Sequence, residues 1–299
     1  MTVSGYHKPV LIAEVLHFLD PQPGKIYVDA TFGGGGHTAA ILEHQPQCTV
    51  IAVDWDATAL QLNAPKIEAA YGDRFKMIQG NFARLPLLLK RMGVGKVDGL
   101  LADFGPSQYQ ILHKEGFSFA SHEPLDMRMS PEYQKKTAFD IVKNASQEEL
   151  EYIFRTYGEE RQARRIARRI VETRRARPIK TAYELALLVK EAVVPRRSYY
   201  KIHPATQVFQ ALRIAVNKEL ENIRAFLIHS PALLNPGGRI VCISFHSLED
   251  RIVKQFFREH AEFRVLTPKV VTASAEELHV NPSARSARLR AAELIFEER

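Results

Sequence analysis

The chain has 299 residues, 45% hydrophobic and 25% charged, the balance of an ordinary globular protein with room for one large domain or two smaller ones. No apolar run approaches the roughly 20 residues that cross a bilayer, and Met1 to Lys8 is polar without the apolar core of a signal peptide, so a cytoplasmic protein with no membrane partner is expected. A formal net charge of +7 favours a polyanionic partner, although a basic solvated surface carries the same number.

Pro9 to Leu19 places Val10, Leu11, Val15, Leu16 and Leu19 at helical spacing. After a turn at Pro21–Gly24, Ile26-Tyr27-Val28 reads as a first strand, running through Asp29 into Thr31-Phe32-Gly33-Gly34-Gly35-Gly36-His37-Thr38. Four glycines remove every β-carbon from that turn, so φ is free to be positive and backbone N–H groups can approach a ligand. A helix through Glu43 follows, and a bound group would meet its N-terminus. Thr49 to Asp54 is a second buried-type strand, with Asp56 as cap of a helix to about Ala70 that Pro65 kinks or splits. Phe75–Gln79 is a third strand, Asn81 caps a helix from Phe82 to Met92, and Val97–Asp103 is a fourth strand. The two cysteines, Cys48 and Cys242, fall at or in strands and read as buried hydrophobes of a reducing compartment, without a disulfide framework or metal site.

The alternation then breaks. From about Gln110 to Pro204 no strand run occurs, and helices are expected over 147–157, 161–174 and 182–194. One long helix, Ala205 to Ile228, leads to a turn at Pro236-Gly237-Gly238 and a fifth strand, Arg239 to Phe245. Ser247 is expected to cap a helix from Leu248 to His260, and Phe263–Leu266 and Leu289–Phe296 close the chain as two strands. The expected fold is α/β, a doubly wound and mostly parallel sheet, with 1–110 and 205–299 forming the core and 111–204 a helical insertion.

Two kinds of cofactor use such a glycine turn. A dinucleotide wants G-x-G-x-x-G, and here Thr38 stands where the third glycine belongs. Asp29 before the turn would repel a pyrophosphate but suits a cationic amino group, such as that of S-adenosyl-L-methionine (SAM). Gly33 and Gly35 shape the turn, and Asp54, about 20 residues on, is spaced to accept hydrogen bonds from ribose hydroxyls. Ligands of open α/β sheets sit beyond the carboxyl ends of the strands, which puts Asp103-Phe104-Gly105-Pro106 beside Gly33. That stretch resembles the Asp-Pro-Pro-aromatic loop of amino-group methyltransferases. Asp103 is the candidate acceptor that orients an exocyclic amine, with cofactor binding as its competing role. Phe82 is placed for an adenine ring, and His246 for substrate contact or proton transfer, although a core phenylalanine and a structural histidine are the plainer readings. The insertion carries a basic face with Arg161, Arg164, Arg165, Arg168, Arg169, Arg174, Arg175, Arg177, Arg196, Arg197 and Lys201. Arg164, Arg165, Arg168, Arg169, Arg196 and Arg197 are the candidate phosphate contacts, with Tyr199 and Tyr200 as stacking faces for an unpaired base.

These residues, together with several longer runs, resemble the RsmH/MraW family of cytosine-N4 methyltransferases of small-subunit ribosomal RNA. The runs are His7-Lys8-Pro9-Val10-Leu11, Thr31 to His37, Gly116-Phe117-Ser118-Phe119, Pro124 to Met129, Arg155 to Glu160, His203-Pro204-Ala205-Thr206, Phe209 to Ile214, Ser244 to Arg251 and Asn281 to Ser286. The resemblance spans nearly the whole chain in family order. It implies a Rossmann-like class I SAM-dependent core with a helical insertion, acting on one cytidine in the decoding region of 16S ribosomal RNA, free or within the small subunit. It carries cofactor positions onto Gly35, Gly36, His37, Asp54, Phe82, Asp103 and Gln110; no metal site is expected from the residues. The homodimer and the monomer both stay open. Departures fall on the substrate side. The family's Asp-Leu-Gly-Val-Ser-Ser is Asp103-Phe104-Gly105-Pro106-Ser107-Gln108 here. Leu112 stands for an aspartate and Glu115 for an arginine. A methylating enzyme is expected. A catalytically weak or inactive RNA-binding assembly factor, a dehydrogenase and a DNA amino-methyltransferase are the competing readings.

Overall fold

A computed structural model describes residues 9–193 and 203–295. The chain divides into two compact units, one formed by residues 1–107 and 220–299, the other by residues 108–219.

In chain order the first unit contributes α1 (Ile12–Leu19), β1 (Ile26–Asp29), α2 (Gly36–His44), β2 (Thr49–Asp54), α3 (Ala57–Tyr71), β3 (Phe75–Gln79), α4 (Leu85–Arg91) and β4 (Val97–Asp103). The second unit is helical: α5 (Gln108–His113), α6 (Ala138–Asn144), α7 (Gln147–Gly158), α8 (Ala163–Ala176), α9 (Ala182–Ala192) and α10 (Thr206–Asn217). The chain returns through α11 (Glu219–Leu233), β5 (Leu234–Ser244), α12 (Ser247–Glu259), β6 (Phe263–Val265), α13 (Ala275–Val280) and β7 (Arg288–Leu294).

The first unit holds one seven-stranded sheet in the order β3-β2-β1-β4-β5-β7-β6. Strands β1 to β5 are parallel, and β7 runs antiparallel between β5 and β6. This is a Rossmann-like doubly wound sheet. The inner strands are buried on both faces, which is why they read as continuous apolar runs such as Val50-Ile51-Ala52-Val53. β1 lies between β2 and β4, so successive crossovers leave it on opposite sides and open a crevice at its carboxyl end. The core beside this crevice includes Val10, Leu11, Phe32, Ile41, Leu42, Leu101, Val241 and Leu289. No helix among the described residues is long and apolar enough to cross a membrane.

The helical unit has its own core, in which Ile166 and Ile170 of α8 meet Leu150 and Phe154 of α7, Leu185 and Val189 of α9, and Val208 and Leu212 of α10. Ser146 and Thr181 start α7 and α9 with capping boxes.

Five expectations are corrected. The long helix over 205–228 is two helices, because Lys218 takes a left-handed φ of 53°. Asn217 just before it donates to Met127 O (2.8 Å) and accepts from Met129 N (2.8 Å), while Arg213 and Glu219 pair in a two-pronged ion pair across the break. As a result α10 packs within the helical unit, and the boundaries fall after Ser107 and before Leu220 instead of at 110 and 205. Asn81 caps only a 3-10 turn, Phe82–Arg84, ahead of α4. His246, not Ser247, is the cap of α12. Pro65 sits inside α3 without dividing it. Cys48 and Cys242 are buried free thiols, Cys242 pushed up by that burial.

Candidate functional site

The crevice at the carboxyl ends of β1, β2 and β4 gathers three carboxylates and one imidazole. Asp29 ends β1 and is 1% exposed. Its Oδ2 accepts from the Thr38 hydroxyl (2.7 Å) and its Oδ1 from Thr31 N (3.2 Å), so it ties the strand end to the first turn of α2. Burial pushes its pKa up, opposed by His37 and by these two hydrogen bonds.

Asp54 ends β2 and is partly exposed. Beyond the expected place for ribose hydroxyls it has structural work: its Oδ2 accepts from Gly33 N (2.7 Å) and its Oδ1 from Asp56 N (2.8 Å). It stitches the glycine turn to the next strand, while Asp56 caps α3 as expected. A carboxylate offers about four acceptor positions, so both oxygens retain one for a ribose diol. Burial raises its pKa to about 6 against the pull of the two N–H donors.

The turn itself is held by protein as much as shaped for a ligand. Gly33 and Gly35 have φ of 50° and 76°, conformations glycine adopts at little cost. A β-carbon at Gly35 would lie 2.9 Å from the Phe32 ring, and one at Gly36 2.7 Å from Pro9 Cγ. These two glycines therefore admit neighbouring side chains. Gly33 remains roomy, with only Thr31 O at 3.9 Å. Asn63 of α3, absent from the sequence reading, donates to Gly33 O (3.0 Å) and braces the turn from behind. No motif marks it, since an asparagine in a helix is usually solvated. Helix α2 starts at Gly35 with no side-chain cap, so its first N–H groups suit a carboxylate such as that of a methionine end.

His37 is buried, and neither ring nitrogen has a hydrogen-bond partner among the described residues. Its Nε2 stands 3.6 Å from Asp103 Oδ2, an ion-pair separation longer than a hydrogen bond. Burial disfavours the imidazolium, yet the Asp103 and Asp29 carboxylates outweigh that and hold its pKa above the ordinary histidine value. Asp103 ends β4 and is partly exposed. Thr31 Oγ1 accepts from its backbone N–H (2.7 Å), and its Oδ1 has no hydrogen-bond partner among the described residues. That orphaned oxygen and the unpartnered His37 ring fit a ligand rich in N–H and O–H groups.

Phe82 lies partly buried at the end of β3, its ring 5.9 Å from Phe104 and 5.8 Å from Phe226. Phe104, one of the departures from the family pattern, is buried in this aromatic trio and is directed into the core. His246 leaves β5 on the same sheet edge. Its Nδ1 accepts from Glu249 N (3.4 Å), which assigns the proton of the neutral ring to Nε2, itself 3.3 Å from the fully buried Glu249 carboxylate. The ring thus does structural work as the cap of α12. Gln110 is buried on α5 of the helical unit.

On α8, Arg164, Arg165, Arg168 and Arg169 are exposed, with Arg168 3.6 Å from Glu172 and Arg169 3.8 Å from Glu191. Arg174 leaves the expected face: it donates to Val142 O and Ala145 O, each at 2.6 Å, and satisfies the end of α6. Arg196, Arg197, Tyr199, Tyr200 and Lys201 lie outside the described residues.

Residues 4–295 match the family model described as the MraW methylase family. The chain is 48% identical to the ribosomal RNA small subunit methyltransferase H of Thermotoga neapolitana over 98% of each chain. It is 50% identical to the protein of that name from a Cyanothece species, over 96% of this chain and 94% of that one. Among solved structures, TrmN from Thermus thermophilus aligns with a TM-score of 0.47 at 14% identity, over 95% of this chain and 48% of that one. A methyltransferase of Streptococcus mutans, solved with SAH, aligns at 0.46 and 11% identity, over 95% and 97%.

Proposed function

The chain belongs to the MraW methylase family, and from that premise we propose that it transfers the methyl group of SAM to the exocyclic N4 of a cytidine in the decoding region of 16S ribosomal RNA. The observation that carries the reading is the set of carboxylates at the adjoining ends of β1, β2 and β4, with Asp103 Oδ1 unpartnered among the described residues. SAM, when bound, supplies an electrophilic methyl on a sulfonium.

Asp54 holds ribose hydroxyls, and the uncapped start of α2 receives a carboxylate. Phe82 offers a face for adenine. Asp29 sets the turn through Thr31 and Thr38. Asp103 Oδ1 accepts a hydrogen bond from the target amine. A cytosine amine is a weak nucleophile because its lone pair is delocalised into the ring. An acceptor fixed against one N–H favours a pyramidal nitrogen and aims it. His37 Nε2 stands 3.6 Å from the other Asp103 oxygen, Oδ2. Gln110 is assigned to the cofactor on the strength of the family alone. The exposed arginines of α8 hold phosphates.

A non-catalytic assembly factor is the second reading, motivated by the altered loop after β4. Burial of Phe104 among Phe82 and Phe226 weighs against it, because that change is absorbed in the core. Radiolabelled SAM and small-subunit RNA, followed by mass mapping of the product, provide the test. One methyl on a decoding-region cytidine is expected. SAM binding without any transfer to free RNA or assembled subunit would leave the assembly-factor reading.

A further inference from the structure

We propose that the cleft between α8 and α9 of the helical unit is a subsite for one unstacked base of single-stranded RNA, with Tyr183 as its stacking face. The proposal rests on RNA being the substrate, and none of the residues lining the cleft is an expected cofactor residue. The cleft has a volume of about 500 Å³, within the range of small-molecule sites, and Arg169, Ala176, Arg177, Tyr183, Leu187 and Leu188 line it.

Tyr183 is 43% exposed, and its ring stands 4.5 Å from the His122 ring at an interplanar angle of 35°. A partly exposed aromatic ring that lines a cleft and is braced by a second ring offers a stacking surface, and every base has a π face to lay on it. The platform is fixed by backbone. Tyr183 N donates to Ser121 O (3.0 Å), Leu125 N donates to Lys180 O (3.0 Å), and Pro124 bridges Thr181. The loop carrying His122 is thus pinned to the start of α9, so little conformational entropy is lost when a base arrives. Leu187, 41% exposed, extends the apolar wall.

Three carboxylates also line the cleft, and each is already engaged. Glu172 pairs with Arg168 and Glu191 with Arg169, while Glu184 accepts from the N–H groups of Lys180 and Thr181. Arg177 also lines the cleft, near Glu184, and Arg165 and Arg175 of α8 are exposed, cations that can meet the phosphates flanking the base. Aromatic face, apolar wall and basic rim together match an unpaired nucleotide. A duplex, whose bases are stacked on one another, could engage only the rim.

The test uses the full chain and a fluorescein-labelled 12-nucleotide RNA, as a single strand and as a duplex with its complement, read by fluorescence anisotropy. Tyr183→Ala is expected to weaken the single strand about tenfold and to leave the duplex unchanged, and Tyr183→Phe to bind both as the parent does. Thermal melting and SAM calorimetry on the same variants establish that they fold and keep the first unit intact. Parental single-strand affinity in a folded Tyr183→Ala, or an equal loss for both RNAs, overturns the subsite. A parent that binds SAM yet binds no single strand also overturns it without touching the methyl-transfer reading. A parent that binds the single strand through Tyr183 yet methylates nothing upholds the subsite while that reading fails.

Discussion

The two units carry their proposed functional residues in opposite ways. In the first, the proposed groups are few and partly or wholly buried: Asp54 accepts two backbone N–H groups, Asp29 joins β1 to α2, and His37 stands beside Asp103. In the second they are many and exposed, standing on one face of α8 with acidic partners at ion-pair distance. A buried, bonded group fixes geometry, so one substitution there changes both fold and chemistry. An exposed charge acts by sum, and salt screens it. Burial therefore predicts where single changes are severe, and exposure where only combinations count.

That contrast breaks first at Asp103. Asp103→Ala is expected to lower the methyl-transfer rate roughly a hundredfold or more, the cost of removing one preorganised polar contact to the reacting group. A parental rate in single-turnover kinetics would mean that the β4 carboxylate takes no part in orienting the amine. Next in size, Asp54→Ala should weaken SAM binding roughly tenfold to a hundredfold by calorimetry, because hydrogen bonds to a charged acceptor are lost.

The same carboxylate sharpens the comparison through pH. Its pKa in the folded protein is about 6, above the ordinary aspartate value. The folded state therefore holds this proton more tightly than the unfolded chain, and the group's contribution to stability is greatest at low pH and falls as pH rises from about 4 to 6. Ribose hydroxyls favour the ionised form, so SAM affinity should run the other way. It should rise toward neutrality, level off above pH 6, and fall at most tenfold per unit below it. Asp54→Asn should remove this contribution, and an unchanged profile in that variant would assign the titration elsewhere.

Smaller effects distinguish packing from charge. Gly36→Ala places a β-carbon 2.7 Å from Pro9 Cγ, and the overpacking should cost about 1–3 kcal/mol and lower the melting temperature by several degrees. Arg165→Ala on the exposed face of α8 should shift stability by less than about 0.5 kcal/mol. Replacing Arg164, Arg165 and Arg168 together by alanine should reduce the slope of log affinity for single-stranded RNA against log salt by about two, since each phosphate contact contributes about 0.7. An unchanged slope would move the phosphate contacts off α8.

Much of the first unit was legible because buried parallel strands leave long apolar signals. β2 and β4 fall on their expected limits, and the carboxylates that end β1, β2 and β4 were visible as interruptions of those runs. The glycine turn was legible as a turn, but not the reason for each glycine. Gly35 and Gly36 serve Phe32, Ile67 and Pro9, contacts that no local pattern encodes. His37 looked like a helix-start residue, and only the register of β1 with β4 brings Asp103 beside it. His246 read either as a substrate contact or as a structural histidine, and its role as a cap depends on the buried Glu249 three residues on.

By itself the amino-acid order determined the alternation of strands and helices, the helical interruption and the placing of acidic residues at strand ends, because burial and periodicity are written locally along the chain. The tertiary structure alone decided that Asp54 is already holding Gly33, that Asn63 braces the turn, that Arg174 faces the end of α6, and that the chain bends at Lys218. Each of those depends on a backbone group brought near by folding, and a lone N–H or carbonyl leaves no mark in a sequence.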